Sequence, residues 1–196
     1  MGAEGQLEAP AVRRLPRAER RDQILTAATR AFARAGFAAT SLDDVAAEAG
    51  ISRVILYRHF ESKTHLYRAL LDRVCDRLRT TVGGDDFGPN VLDALLAAAA
   101  EDPDGFRLLF HHAAREPEFR DEVDRLRAGS ERIALSYFVE QILDPAWARW
   151  AAQLAATVSI DATIAWLDAG QPDRASAGER ILQVLGAITD AAARPA

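Results

Sequence analysis

Apolar residues recur every three or four positions along most of the chain, the spacing that places them on one face of an α-helix. An apolar stripe through Ile24, Ala28 and Phe32 predicts a first helix over residues 17–35, which Gly36 would end. Alternation with a period of two, the mark of a half-buried strand, is missing. The pattern predicts an all-α protein of about nine helices.

Three further helices are predicted by serines at their N-termini, namely Ser41, Ser52 and Ser62. Ser41 is followed three residues later by Asp44, the spacing of a capping box. The helix after Ser41 would end at Gly50. The helix after Ser52 would end near Phe60, and the helix after Ser62, counted below as the third of this group, would end near Thr81. This third helix carries an apolar stripe made of Leu66, Leu70, Val74 and Leu78.

About five more helices are predicted beyond a loop at residues 83–88, which is the clearest boundary in the chain. Asp102 and Asp144 each precede a proline, as expected for an N-cap followed by proline at the first helical position. Ser176 and Glu179 match a second capping box. A long helical segment is predicted from Pro117 to about residue 143.

Charge is distributed unevenly, although the formal net charge of −5 argues at first against a nucleic-acid partner. Residues 13–79 contain 14 basic and 8 acidic side chains, a net charge of +6. Residues 80–196 contain 10 basic and 19 acidic side chains, a net charge of −9. This asymmetry indicates a basic binding unit attached to an acidic body.

The chain has a single cysteine, Cys75, so it cannot form an internal disulfide, and we expect a cytoplasmic protein in a reducing environment. Cys75 lies on the apolar face of its helix, which favours a buried structural thiol over a redox sensor. The longest wholly apolar run, residues 94–100, is too short to span a membrane. The N-terminal residues lack the apolar core of a secretory signal.

Residues 40–60 match a helix-turn-helix, two short helices joined by a tight turn. Gly50 would adopt the left-handed conformation in this turn, and Ile51 would fill the angle between the helices. An inner face is predicted from Val45, Ala46, Ala49, Leu56 and Phe60. The outer face of the second helix would present Arg53, Ile55, Tyr57 and His59. An apolar side chain and a phenol on that face suit a helix in the major groove of DNA better than a solvated helix.

This segment resembles the DNA-binding signature of the TetR family, in which a glycine-hydrophobic-serine turn leads into Leu-Tyr-x-His/Tyr-Phe-x-x-Lys. The chain has Gly50-Ile51-Ser52, followed by Leu56-Tyr57-Arg58-His59-Phe60-Glu61-Ser62-Lys63. It departs from the family at Val54, where glycine is common, and at His65, where an acidic residue is common. The resemblance covers residues 20–68 and implies three parts: a disordered segment (1–16), a helix-turn-helix domain (17–63) and a helical ligand-binding and dimerisation domain (64–196).

The resemblance also implies DNA-contacting positions, which are Thr40, Ser52, Arg53, Val54, Ile55, Tyr57, His59 and Lys63. Arg53 would contact guanine, and Ile55 a thymine methyl group. The side chains of Tyr57, His59, Lys63 and Thr40 would contact phosphates. Val54 would alter which bases are recognised. Arg13, Arg14 and Arg17 form either an arm into the minor groove or a solvated charged tail.

In the body, the family resemblance implies a ligand cavity among the fifth to eighth helices. Its candidate lining residues are Phe106, Phe110, His111, Tyr137, Phe138, Trp150, Asp161 and Trp166. Aromatic residues at helical spacing are also the ordinary content of a core, so that interpretation stays open. Asp161 would either meet a ligand or bond to a nearby arginine or hydroxyl.

Two apolar stripes run along residues 147–167, one with Trp147, Trp150, Leu154, Val158 and Ala165, the other with Ile160, Ile164 and Leu167. A helix apolar on two sides is buried on two sides. The last helix has its own apolar face, formed by Ile181, Leu182, Leu185 and Ile188. Together these segments resemble the two helices that form the family's four-helix dimer interface.

No cofactor or metal site is expected. His111 and His112 precede Glu116 and Glu118, but neighbouring histidines on a helix point about 100° apart and share one ion poorly. Glycine-rich nucleotide motifs, a P-loop lysine and a nucleophile elbow are missing, so we expect no enzyme.

The sequence therefore predicts a homodimeric regulator that binds a pseudo-palindromic DNA operator as a repressor and is released by a small molecule of unknown identity. Two alternatives remain within DNA binding, an activator and a repressor without a ligand. An alternative from another class is a helical small-molecule-binding or enzymatic protein with an idle DNA-binding head.

Overall fold

The computed structural model describes residues 15–83 and 90–194, and within them the chain forms nine α-helices and no strand. The helices are α1 (Arg17–Ala39), α2 (Leu42–Glu48), α3 (Arg53–Tyr57), α4 (Lys63–Val82), α5 (Val91–Glu101), α6 (Pro103–Arg107), α7 (Arg120–Phe138), α8 (Pro145–Asp168) and α9 (Ala177–Ala192). The all-α prediction is confirmed. The predictions for the N-terminal segment, for an arm containing Arg13 and Arg14, and for a loop after Gly83 fall on residues outside these ranges.

The predicted N-caps of the helix-turn-helix are confirmed by their hydrogen bonds. The Ser41 hydroxyl accepts from the backbone N–H of Asp44 at 3.1 Å, and the Asp44 carboxylate accepts from the Ser41 N–H at 2.8 Å. The Ser52 hydroxyl caps α3, and the Ser62 hydroxyl caps α4. Gly50, between α2 and α3, has a φ of +64°, the left-handed conformation predicted for the turn.

Three predicted boundaries are wrong. Ser176 precedes α9 but makes no cap hydrogen bond there, and its hydroxyl oxygen instead accepts from Arg180 Nε at 3.2 Å. The long segment predicted from Pro117 begins only at Arg120 and ends at Phe138. The recognition helix α3 ends at Tyr57, three residues earlier than predicted.

A π-helical turn follows α6, an element that the periodicity does not predict. Asp102 caps α6 by accepting from the Gly105 N–H at 3.0 Å. The π-turn then covers Leu108–His112 and passes into a 3₁₀ turn at Ala113–Arg115. It packs on α1 and α4, and Leu108 within it is fully buried. The body therefore contacts the first helix of the predicted helix-turn-helix domain directly.

An aromatic cluster made of Phe32, Phe37, Tyr67 and Phe119 lies where the head meets the body. The Tyr67 ring centroid lies 4.9 Å from that of Phe32, 5.0 Å from that of Phe37 and 4.5 Å from that of Phe119. These rings come from α1, the stretch after Gly36, α4 and the residue before α7. The cluster thus belongs to both of the predicted domains, and the boundary at residue 63 stays a prediction.

We expect Tyr67→Phe to stabilise the protein by about 1 kcal/mol, because the buried Tyr67 hydroxyl has no hydrogen-bond partner among the described residues. Burial raises the pKa of this hydroxyl above its ordinary value near 10, and the carboxylate of Glu116 raises that pKa further. Since the pKa is higher in the folded state, the wild type should lose stability as the pH rises above about 10. The Phe variant should lack this part of the alkaline loss.

Urea unfolding at fixed protomer concentration, at pH 7.5 and between pH 9 and 11, tests both statements. The matched control is Tyr137→Phe, since Tyr137 is 48% exposed and its hydroxyl is open to water. A Tyr67→Phe variant less stable than the wild type at pH 7.5 would contradict the expectation.

Candidate nucleic-acid interface

The helix α3 exposes a compact set of side chains while its other side is anchored in the core. Leu56 and Phe60 are fully buried, which fixes the orientation of the helix. Arg53 is exposed, Val54 is 63% exposed and Tyr57 is 46% exposed. An exposed valine and an exposed tyrosine in the same short helix form an unusual solvated surface, but they suit contact with the grooves of DNA.

Two residues predicted on the same face are less accessible. Ile55 in α3 and His59, two residues after that helix, are each half-buried. The thymine-methyl contact predicted for Ile55 therefore falls on a side chain that is less exposed than its neighbour Val54.

Arg53, the predicted guanine contact, is oriented by an acidic neighbour. Its Nε lies 2.5 Å from a carboxylate oxygen of Asp43 in the first turn of α2. A guanidinium carries five N–H donors, so this exposed ion pair leaves donors for an outside acceptor. A guanidinium can contact the O6 and N7 atoms of guanine through a pair of such donors.

Thr40 and Lys63, two predicted phosphate contacts, are engaged within the chain. Thr40 is buried, and its hydroxyl donates to the Gly36 carbonyl at 2.7 Å. The Lys63 ammonium donates to the carbonyls of Phe37 and Ala38 at 2.8 and 3.3 Å. These bonds hold the stretch after the kink at Gly36, where φ is +76°. Their contact with phosphate stays a prediction.

Three arginines of α1 form a basic cluster (Arg17, Arg20 and Arg21) beside the recognition helix. The Arg21 guanidinium lies 4.5 Å from the centre of the Phe60 ring. Burial lowers the pKa of His59, and the charges of Arg17, Arg21 and Arg20 lower that pKa further, which keeps this histidine neutral near pH 7.

Arg20 and Arg21 were missed by sequence reasoning. The only signal for them was their spacing from Arg17 along one side of α1. Arg30 and Arg34, which also lie in α1, instead form ion pairs with Glu48 at 2.8 and 2.6 Å.

A hydrogen bond from α1 fixes the turn of the helix-turn-helix. The Gln23 side-chain amide donates to the Ala49 carbonyl at 2.9 Å, and Gln23 accepts from Arg20 at 2.7 Å. Because Ala49 precedes Gly50 in the turn, α1 determines the angle at which α3 is presented. The basic cluster and the exposed residues of α3 therefore keep a defined relative position.

The eight candidate pocket residues of the body do not gather around one cavity. Four are buried (Phe106, Phe110, Phe138 and Trp166), and four are exposed (His111, Tyr137, Trp150 and Asp161). Phe106 packs on Phe110 at 4.8 Å, and the Trp166 indole donates to the Pro172 carbonyl at 2.8 Å. A cavity beside Phe106 and another beside Asp161 each measure about 20 Å³, room for about one water molecule.

The described residues also bear on a metal site, on the Cys75 thiol and on membrane-spanning helices. Within residues 15–83 and 90–194, no three His, Cys, Asp or Glu side chains are placed to hold a metal ion. Burial raises the pKa of the partly buried Cys75 thiol, which keeps it protonated near neutral pH. A search of the described helices finds none that is both long enough and apolar enough to cross a membrane.

The helix α8 is buried on one side within the single chain, and burial of its second apolar stripe in a dimer stays a prediction. Its buried side is made largely of alanines, among them Ala148, Ala151 and Ala155. Trp147 and Trp150 are instead 47% and 40% exposed and pack edge to face at 5.4 Å. On α9, Ile181, Leu185 and Ile188 are buried, whereas Leu182 is 45% and Val184 51% exposed. Large apolar side chains therefore face outward on both helices.

Comparison with known proteins identifies the family. Residues 24–70 match the model for bacterial regulatory proteins of the TetR family. The chain is 33% identical to the HTH-type transcriptional activator FasR of Mycolicibacterium smegmatis, over 87% of this chain and 83% of that protein. It is 34% identical to the HTH-type transcriptional repressor KstR2 of Mycobacterium tuberculosis, over 55% of this chain and 52% of that protein.

Solved structures agree on the fold. A TetR-like transcriptional regulator from Rhodococcus sp. RHA1 superposes with a TM-score of 0.72 at 23% identity, covering 88% of this chain and 97% of that one. The resemblance seen in the sequence is thereby confirmed. The chain belongs to the TetR family of bacterial regulatory proteins, and it is a DNA-binding transcriptional regulator.

Proposed function

We propose that this regulator is a homodimeric repressor whose two heads bind the half-sites of a pseudo-palindromic operator and whose release is triggered by a small molecule. The observation that supports this most is the surface of α3, where Arg53, Val54 and Tyr57 are exposed beside the basic cluster of α1. The arginines of that cluster are suited to phosphates, and the side chains of α3 are suited to base edges. We place this action in the cytoplasm and assign the chain no catalytic step.

Dimerisation is proposed through α8 and α9. Trp147, Trp150 and Leu182 leave apolar surface uncovered in the single chain, and large exposed apolar surfaces commonly mark interfaces. A two-fold axis would pack these two helices against their copies, because a symmetric dimer uses the same patch on both subunits. The heads would then lie at a fixed distance suited to one inverted repeat.

We propose that α4 transmits the ligand response, because its side chains contact both the head and the body. Arg73 of α4 donates to the hydroxyls of Thr26 and Thr29 in α1 at 3.1 and 3.0 Å. One turn later, Arg77 pairs with Asp102, the cap of α6, at 3.4 Å. A displacement of α6 would therefore move α4 and, through Arg73, the head.

The effector would be a small apolar or amphipathic molecule that opens the body, since the cavities beside Phe106 and Asp161 are each too small for one. Near-complete switching requires the ligand to prefer the released state by about 5.5 kcal/mol. Activation is a second candidate, because FasR, which aligns over most of this chain, is named an activator whereas KstR2 is named a repressor.

Selection of bound sequences from a random DNA library by the purified protein, repeated across salt concentrations, tests the proposal. We expect one inverted repeat to be enriched. We also expect the logarithm of the association constant to fall with the logarithm of salt concentration with a slope of about −5, if the six arginines of two basic clusters each neutralise one phosphate. Enrichment of no sequence would contradict the proposal and favour the idle-head alternative. Transcription from the selected operator in vitro then distinguishes repression from activation.

A further inference from the structure

The most exposed apolar side chain of the recognition helix is Val54, at 63% exposure. It is the second residue of α3, directly after Arg53 and one turn before Tyr57. Residues near the N-terminus of a recognition helix are those that reach base edges. Ile55, the next residue and an apolar candidate on sequence grounds, is half-buried. Val54 therefore offers the larger apolar surface to a bound duplex.

The chemistry of a valine side chain limits which base edges it can contact favourably. Its methyl groups neither donate nor accept hydrogen bonds, so packing them on the polar edge of guanine, adenine or cytosine leaves base donors or acceptors without partners. The one methyl group on the major-groove edges of the four bases is the 5-methyl group of thymine. Contact between two apolar groups removes both from water at no hydrogen-bonding cost.

The adjacent arginine indicates where this thymine lies. Arg53 is exposed and pairs through Nε with Asp43, and its guanidinium carries further donors of the kind that a guanine contact uses. Consecutive Cα atoms are about 3.8 Å apart, close to the rise of about 3.4 Å between stacked base pairs. Side chains from neighbouring residues at the start of α3 therefore reach the same or neighbouring base pairs.

We propose that Val54 contacts the 5-methyl group of a thymine in each half-site, within one or two base pairs of the guanine contacted by Arg53. This inference rests on the proposed function, because it requires α3 to lie in the major groove. It assigns to Val54 the specificity that Ile55 carries in the sequence-based prediction. It also identifies valine at this position, where the family commonly has glycine, as a determinant of which operator is recognised.

The test replaces each thymine of the selected operator in turn by deoxyuracil, which pairs identically but lacks the methyl group. Fluorescence anisotropy then gives the Kd for the wild type and for Val54→Ala. We expect one thymine per half-site at which uracil weakens wild-type binding about fourfold, the value expected for losing one buried methyl contact, and about tenfold or more when both half-sites are changed. For Val54→Ala the factor at that thymine should fall below about two.

Ile55→Val serves as the matched control, since it shortens the neighbouring apolar side chain and should leave the uracil effect intact. Circular dichroism establishes that each variant folds, which we expect for Val54→Ala because the side chain is mostly exposed. Wild-type binding with no thymine sensitive to uracil would overturn the inference while leaving the proposed function standing, as would a sensitivity lost in Ile55→Val and kept in Val54→Ala. Failure of the wild type to prefer any DNA sequence would overturn both.

Discussion

Replacing Leu182 with glutamate is expected to give a folded monomer that binds the operator at least about 100-fold more weakly than the wild-type dimer. Leu182 is 45% exposed on α9, so the substitution should not disturb the core of the single chain. In a symmetric interface each new carboxylate would be desolvated and brought near its own copy. The affinity loss follows because two linked heads bind with an avidity that exceeds the affinity of one head by about 10² to 10⁴.

Light scattering after gel filtration gives the oligomeric state, and anisotropy gives operator affinity. Val139→Glu is the matched control, since Val139 is 55% exposed but follows α7, outside the proposed interface. Trp150→Glu on α8 should reproduce the effect of Leu182→Glu. A Leu182→Glu protein that stays dimeric would place the interface elsewhere, and a monomer with undiminished operator affinity would refute the proposed two-headed binding.

Arg53→Ala is expected to weaken operator binding by at least about tenfold and to relax the preference for one guanine in each half-site, because a bidentate arginine–guanine contact discriminates by about 1–3 kcal/mol. The dependence of affinity on salt should change little. Arg17→Ala, an exposed member of the basic cluster, should instead weaken binding to specific and unrelated DNA alike. It should make the salt slope shallower by about one for each head.

Library selection and salt titration, repeated with each variant, distinguish a contact to a base edge from a contact to a phosphate. Arg30→Ala is the control for general loss of positive charge, since Arg30 is paired with Glu48 and lies outside the basic cluster. An Arg53→Ala variant that loses specific and non-specific affinity equally would identify Arg53 as a phosphate contact. An unchanged preference for guanine would exclude it as the guanine contact.

Helix starts governed by local hydrogen bonds were predictable from the sequence. Ser41, Ser52, Asp102 and Asp144 each cap a helix as expected, because a cap depends on residues two or three positions away. Ser176 failed for a local reason too, since its hydroxyl oxygen accepts from the Arg180 side chain instead of from a backbone N–H. The π-turn at Leu108–His112 had no signal, because its spacing departs from the helical period and its packing partners lie on distant helices.

The helix-turn-helix motif of the candidate site was predictable from the sequence, whereas the exposure of its individual side chains was less so. The turn at Gly50 and the buried Leu56 and Phe60 follow from spacing alone. The relative exposure of Val54 and Ile55 depends on how α3 packs against α2, which periodicity over five residues cannot define. The basic cluster was not predictable because it depends on how α1 packs beside His59 and Phe60. The hydrogen bonds of Lys63 were not predictable because they depend on the kink at Gly36.

The recognition helix has only five residues, a length of about 7.5 Å, which matches the height of about two stacked base pairs. Each head would therefore contact about two or three base pairs directly, and the proposed dimer about four to six. A combination of six base pairs recurs by chance about once in 4,000 positions, far too often to mark one operator among millions of genomic sites. The missing information has to lie in the distance and rotation between the two heads. In the proposed dimer, the outward faces of α8 and α9 would thus help to choose the gene as much as the residues that touch its bases.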